Sequence, residues 1–258
     1  MPSTPAARLA ALYRYPVKGL SAEQLQDVAV EEGAVFPFDR AYAIEFRDSG
    51  FDEENPQHVS KSKFLQMALF NELAPLKTSV DTASKTLTVR TPEGEIAVEA
   101  SLDTPEGRRA IEDAFAKLLK SPPTRPLRLV AGRTIALTDQ RRPLISLINL
   151  ASVADLGSAM AMNLDPARFR GNLYIDGWDA WAETGLIGKT LRIGDAEFSV
   201  EKAIERCVAT ELDLETGTRN APVLDTLREC YGHLDCGIFL AVTKPGTVRP
   251  GDEVTILG

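Results

Sequence analysis

Histidine is nearly absent from this chain: His58 and His233 are the two present in 258 residues. Cysteine is scarce as well, with Cys207, Cys230 and Cys236 in all. No C-x-x-C pair and no zinc-type ligand spacing can be drawn from these five residues, so a zinc site is not expected. An odd number of cysteines also argues against a disulfide scaffold and for a reducing compartment. Positive charge is in deficit: 29 Lys and Arg stand against 37 Asp and Glu, a net charge of -8. Such a balance excludes a general nucleic-acid or anionic-membrane surface, and any anion must be captured by a local basic cluster. No segment approaches the roughly 18 uninterrupted apolar residues of a membrane span. Met1-Pro2-Ser3-Thr4-Pro5 lacks the basic region and apolar stretch of a signal peptide. A cytoplasmic location is expected, with neither nucleic acid nor membrane as a partner.

Two familiar catalytic signatures are missing. Gly185-Leu186-Ile187-Gly188-Lys189-Thr190 resembles the tail of a P-loop, but Glu183 stands where its first glycine belongs. The segment after Thr190 reads as a strand, so no helix N-terminus would face a phosphate. A Gly-x-Ser-x-Gly elbow is also absent. Cys207 with His233 could form a nucleophile and base, although sequence separation leaves that open.

Short strands dominate what is present. Leu9 to Tyr15 and Arg40 to Phe46 are aromatic and branched runs. Residues 87–91 and 95–99 alternate around Pro92-Glu93-Gly94, a hairpin signal. Thr104-Pro105-Glu106 predicts a helix start, Ile111, Phe115, Leu118 and Leu119 supply its apolar face, and Ser121-Pro122-Pro123 predicts its end. A second helix is predicted over 152–162, and strands over 172–176, 190–193, 197–200, 237–242 and 253–257. This is a mostly β chain with a few helices (α+β), and short, closely spaced strands favour barrels over a parallel sheet. The Pro-containing stretch 121–126 links two parts, 1–124 and 125–258, and there is no internal repeat.

The most chemically suggestive residue is Cys207, in Glu205-Arg206-Cys207-Val208-Ala209-Thr210. It lies between a predicted strand and the turn-rich segment 213–220. An accessible thiol beside an arginine favours the thiolate, which attacks electrophiles and binds soft metals; the alternative is a small buried hydrophobe. Cys230, following Val223, Leu224 and Leu227 at helical spacing, is expected to pack. Cys236 opens a strand, and a Cys207–Cys236 redox pair would need Cα atoms within about 7 Å.

Basic residues recur at turns beside strands: Lys18 in Tyr15-Pro16-Val17-Lys18-Gly19, Arg40 in Phe38-Asp39-Arg40, and Arg170 in Arg168-Phe169-Arg170-Gly171-Asn172. Guanidinium forks hold phosphate bidentately, lysine supplies a point charge, and the Asn172 amide can read a heterocycle edge.

These motifs, with Gly232-His233-Leu234-Asp235 and Val248-Arg249-Pro250-Gly251-Asp252 in the same order, resemble the MOSC family, named after the C-terminal domain of molybdenum cofactor sulfurase. The resemblance implies an N-terminal β-barrel domain over 1–124 and the MOSC β-barrel domain over 125–258. It implies that Cys207 is the protein's sulfur ligand to molybdenum in a pterin cofactor, and that Lys18, Arg40, Arg170 and Asn172 hold the pterin and its phosphate. It further implies reduction of N-hydroxylated or N-oxide compounds by oxygen transfer to molybdenum, with electrons from a separate ferredoxin- or flavin-type donor. Gly171 stands where the amidoxime-reducing members usually carry proline. Neither a membrane anchor nor a Cys-rich iron–sulfur domain is expected, haem and flavin are not expected to be bound, and nothing resembles a pyridoxal-phosphate desulfurase. The alternative is a carrier in which Cys207 holds persulfide sulfur or hands cofactor to a partner; the basic cluster favours the enzyme.

Overall fold

A computed structural model describes residues 7–257 except Asp48, Pro122 and Pro123. Met1 to Pro5 and the two prolines expected to stop the first helix therefore lie outside the described residues. In chain order the first half contains β1 (Ala7–Arg14), β2 (Glu23–Leu25), β3 (Val28–Val30), β4 (Tyr42–Phe46), β5 (Lys77–Asp81), β6 (Thr86–Arg90), β7 (Ile96–Ser101) and α1 (Pro105–Leu118). The second contains β8 (Leu127–Ala131), β9 (Ile145–Asn149), α2 (Leu150–Ala159), β10 (Leu173–Asp176), β11 (Thr190–Ile193), β12 (Ala196–Glu205), α3 (Val223–Thr226), β13 (Asp235–Lys244), β14 (Gly246–Val248) and β15 (Glu253–Leu257).

Seven strands close into a barrel in the order β10-β9-β13-β12-β11-β15-β1, sealed by pairing of β1 with β10. Only β9 and β10 run parallel, because α2 carries the chain between them. Leu9, Leu147, Leu173, Phe198, Ile238 and Leu240 point inward and fill it. Inward residues alternate with outward ones, as closed small barrels require. The closing strand, β1, comes from the start of the described chain, and β3 pairs with β14 from near its end. The antiparallel pair β4–β8 and the sheet β5-β6-β7 lie beside α1 around a second core of Ile44, Phe46, Leu87, Val89, Ile111 and Phe115. A third cluster under α2 joins Ile148, Leu156, Phe169, Tyr174 and Cys236.

The mostly β, barrel-forming class is as the short strands predict. Helix α1 begins where expected, with the Thr104 hydroxyl accepting from the Gly107 amide at 3.1 Å. The predicted hairpin is present with a bulge between Val89 and Arg90. Strand β12 runs to Glu205, five residues past its predicted end. Its paired partner β13 supports the extra length through Lys202↔Phe239, Ala203↔Ile238 and Glu205↔Asp235. Cys207 is therefore two residues beyond a barrel stave. Cys230 does not pack: it is exposed on a π-helical turn over Leu227–Tyr231, a wider winding that rotates it away from the face Val223 and Leu227 bury.

Candidate functional site

Tyr15 is the centre of the basic cluster. Its ring lies in the core at the end of β1, and the guanidinium carbons of Arg40 and Arg170 sit 4.2 and 4.3 Å from the ring centroid. Two unit charges no farther apart than the sum of those distances repel by roughly 2 kcal/mol at an effective dielectric near 20. One carboxylate answers them. Asp39 accepts from Arg40 Nη1 at 2.5 Å and from the Tyr15 amide at 2.8 Å. Arg40 Nη2 donates to the Arg170 carbonyl at 3.1 Å, joining the two turns. Arg170 Nη1 donates to the Met67 thioether at 3.7 Å, a weak acceptor, and no salt bridge to a carboxylate is seen for it among the described residues. Burial pulls the Arg170 guanidinium down to about 10, opposed by the Tyr15 ring's hydroxyl and reinforced by Arg40.

Both arginines occupy the left-handed backbone region, at φ 46° for Arg40 and 52° for Arg170. Arg170 follows a 3-10 turn over Pro166–Phe169 and caps it in that conformation. Non-glycine residues there are uncommon, and such positions cluster where side chains must be aimed.

Lys18 approaches the same region by another turn. A bridge from Val17 to Tyr42 and the bond from the Lys18 amide to the Tyr42 carbonyl fix it beside β4. Gly19 follows at φ 81°, where a Cβ would lie 2.8 Å from the Leu65 carbonyl oxygen, so glycine is required. The ammonium donates to the Leu137 carbonyl at 2.9 Å and to Asp139 at 2.6 Å. Burial lowers its pKa, Asp139 opposes that, and Arg40 adds to it.

Asn172 lies elsewhere in its chemistry. It is 2% exposed, its side-chain oxygen accepts from the Ser146 hydroxyl at 2.8 Å, and its amide nitrogen donates to the Tyr13 carbonyl at 3.2 Å. These bonds pin β9, β10 and β1 together immediately after Arg170.

Cys207 is half-buried, in extended conformation, and opens a 3-10 turn over Val208–Glu211. The turn is tied down on both sides. Arg168 Nη1 donates to the Glu211 carbonyl at 3.1 Å, and Arg219 bridges the carbonyls of Val208 and Ala68 at 2.7 and 2.8 Å. Ala68 follows Met67, so the Cys207 turn and the Arg170 side chain meet the same short segment. Arg206, expected to activate the thiol directly, turns instead into the core. Its Nε donates to the Cys236 carbonyl at 2.7 Å, Nη2 also reaches that oxygen, and Nη1 donates to the Phe169 carbonyl at 2.9 Å. Cys236 is fully buried, burial pushes its thiol up to about 12, and it and Cys207 are both free thiols.

Gly171 has a local reason. A Cβ there would lie 2.4 Å from Ile148 Cγ1, and its amide donates to the Tyr174 hydroxyl at 2.9 Å. Proline would lose the bond and collide with Ile148. Tyr15, Asp39, Asp139 and Met67 were not picked out as site residues from the sequence, although Tyr15 and Asp39 stand inside the quoted motifs.

Residues 134–255 match the MOSC domain and residues 6–118 match the MOSC N-terminal beta barrel domain. The chain belongs to the MOSC family. Over 124 residues, 43% of this chain, it is 34% identical to the human mitochondrial amidoxime-reducing component 1, covering 36% of that protein. Over 147 residues, 52% of this chain, it is 35% identical to molybdenum cofactor sulfurase 2 of Culex quinquefasciatus, covering 19% of that protein. The alignments thus span about a third or less of these relatives. A solved structure of the YUAD protein from Bacillus subtilis aligns over 97% of this chain and 95% of its own, with 14% identity and a TM-score of 0.45. No helix among the described residues is long and apolar enough to cross a membrane.

Proposed function

We propose that this MOSC protein binds a molybdenum cofactor and acts as an oxidoreductase on small N-hydroxylated or N-oxide compounds, taking electrons from a separate ferredoxin- or flavin-type donor. The observation that carries this reading is the Arg40–Arg170 pair: two crowded guanidinium groups have one carboxylate beside them, bonded to Arg40, and Arg170 spends a charged donor on a thioether. An anion with more than one charge relieves that repulsion and fills those donors, so the residues fit a phosphate-bearing group.

In this reading Arg40 and Arg170 hold the phosphate and Lys18, oriented by Asp139, adds a point charge. Asn172 sets the position of Arg170 through its bonds to Ser146 and Tyr13. Cys207 supplies a soft thiolate donor at the edge of the barrel, and Arg168 and Arg219 keep its turn in place. The cofactor, when bound, supplies two-electron oxygen-transfer chemistry, and the protein contributes binding, orientation and charge. The names of the amidoxime-reducing and sulfurase relatives support a molybdenum-cofactor role and are compatible with either an enzyme or a carrier. The guanidinium pair favours the former, since a bare sulfur carrier has no use for it.

The test is molybdenum content by elemental mass spectrometry for protein made in cofactor-competent cells. Wild type should hold near-stoichiometric metal, and Cys207→Ser and Arg170→Ala should each lower it at least about tenfold. A metal-free wild type carrying sulfane sulfur on Cys207 would overturn the enzyme reading in favour of the carrier.

A further inference from the structure

We infer that Tyr15 is a positioning residue whose ring is the shared platform that keeps Arg40 and Arg170 together and aimed at one anion. The inference rests on the reading of these two arginines as anion ligands. The ring is held from both directions. Its backbone amide donates to Asp39, next to Arg40, and its hydroxyl donates to the Gly171 carbonyl, next to Arg170, at 3.2 Å. The residue is therefore tied to both turns, by its backbone on the Arg40 side and by its hydroxyl on the Arg170 side.

The electrostatic reason for an aromatic residue is specific. The face of a phenol ring is negative and attracts guanidinium, and an aliphatic side chain of similar bulk offers no such attraction. Arg40 has Asp39 in addition, whereas Arg170 has the ring as its main counterweight. Burial raises the phenol above its usual value, so the platform is a neutral quadrupole and not a third charge. The two left-handed arginine turns supply direction, and the ring supplies cohesion.

Molybdenum content and thermal midpoint at low and high salt are measured for wild type, Tyr15→Phe, Tyr15→Leu and Arg170→Ala. Tyr15→Phe keeps the ring face and should hold metal within about twofold of wild type. Tyr15→Leu should hold about tenfold less. Its midpoint should also rise with salt more steeply than that of wild type, because bare like charges are screened. Equal metal and equal salt response in the Phe and Leu proteins would overturn the inference while leaving the anion reading intact. Full metal in Arg170→Ala would remove the anion reading itself. Should Tyr15→Leu fail to fold, adding Arg40→Gln should restore folding by removing one of the two repelling charges. A double variant that stays unfolded would count against the platform.

Discussion

Arg206, which is buried, and Arg170, which is part-buried, meet at Phe169 and are partnered in opposite ways. Arg206 is saturated: its guanidinium is spent on the carbonyls of Cys236 and Phe169 and lies 5.2 Å from the Phe169 ring centroid. Arg170 meets a thioether, a ring and a second arginine. A buried cation whose donors are filled by backbone stabilises the fold, and one whose donors are left short is held there by the rest of the structure for something else. Charge alone does not separate the two roles; the partners do.

The comparison is broken most forcefully at Arg206. Arg206→Ala should cost about 3 kcal/mol in urea unfolding, because two buried carbonyls lose a charged donor. Arg170→Ala should leave the unfolding midpoint unchanged or raise it, since repulsion is removed. Equal losses in the two variants would erase the distinction. Next in size is Gly171→Pro, which joins the two arginine environments. It removes the donor to Tyr174 and drives atoms into Ile148, at an expected cost of about 2 kcal/mol in the same assay. The smallest effect belongs to the loop that Arg168 anchors. Backbone amides of Thr216 and Glu215 hold the Asp213 carboxyl down at about 2, below its usual 3.8. Its stabilisation of the loop is thus complete above pH near 4 and lost as pH falls through about 2. Hydrogen exchange across residues 213–220 should accelerate over that window, and Asp213→Asn should abolish the pH dependence.

Much of the barrel was legible because its strands carry local signals: β11 and β15 fall at their predicted bounds, and α1 announces itself through Thr104 and Pro105. Strands β2, β3, β5, β8, β9 and β14 were not foreseen; β2, β3 and β14 are three residues long, and β3 and β14 depend on each other across most of the chain. The basic cluster was legible as a list of turns. Its crowding on Tyr15 was not, because stacking of Arg40 and Arg170 on one ring depends on two turns 130 residues apart. Arg206 misled for the same reason: adjacency to Cys207 in sequence says nothing of where a strand end directs the guanidinium. Asn172 illustrates the converse, a polar residue in a motif that is also bonded to neighbouring staves through Ser146 and Tyr13.

Closure of the barrel by β1 has a kinetic consequence. Arg8 donates to the Gly251 carbonyl across a separation of 243 residues, and Ala7 pairs with Val254. Loop entropy of that span must be overcome before the last seam forms, and topologies of this kind fold slowly. During synthesis the first strand can meet β10 only once residue 176 is made, and β15 only when nearly all of the described chain has been made. A truncated product ending before β15 would carry an open edge on β1, a site for illicit strand pairing.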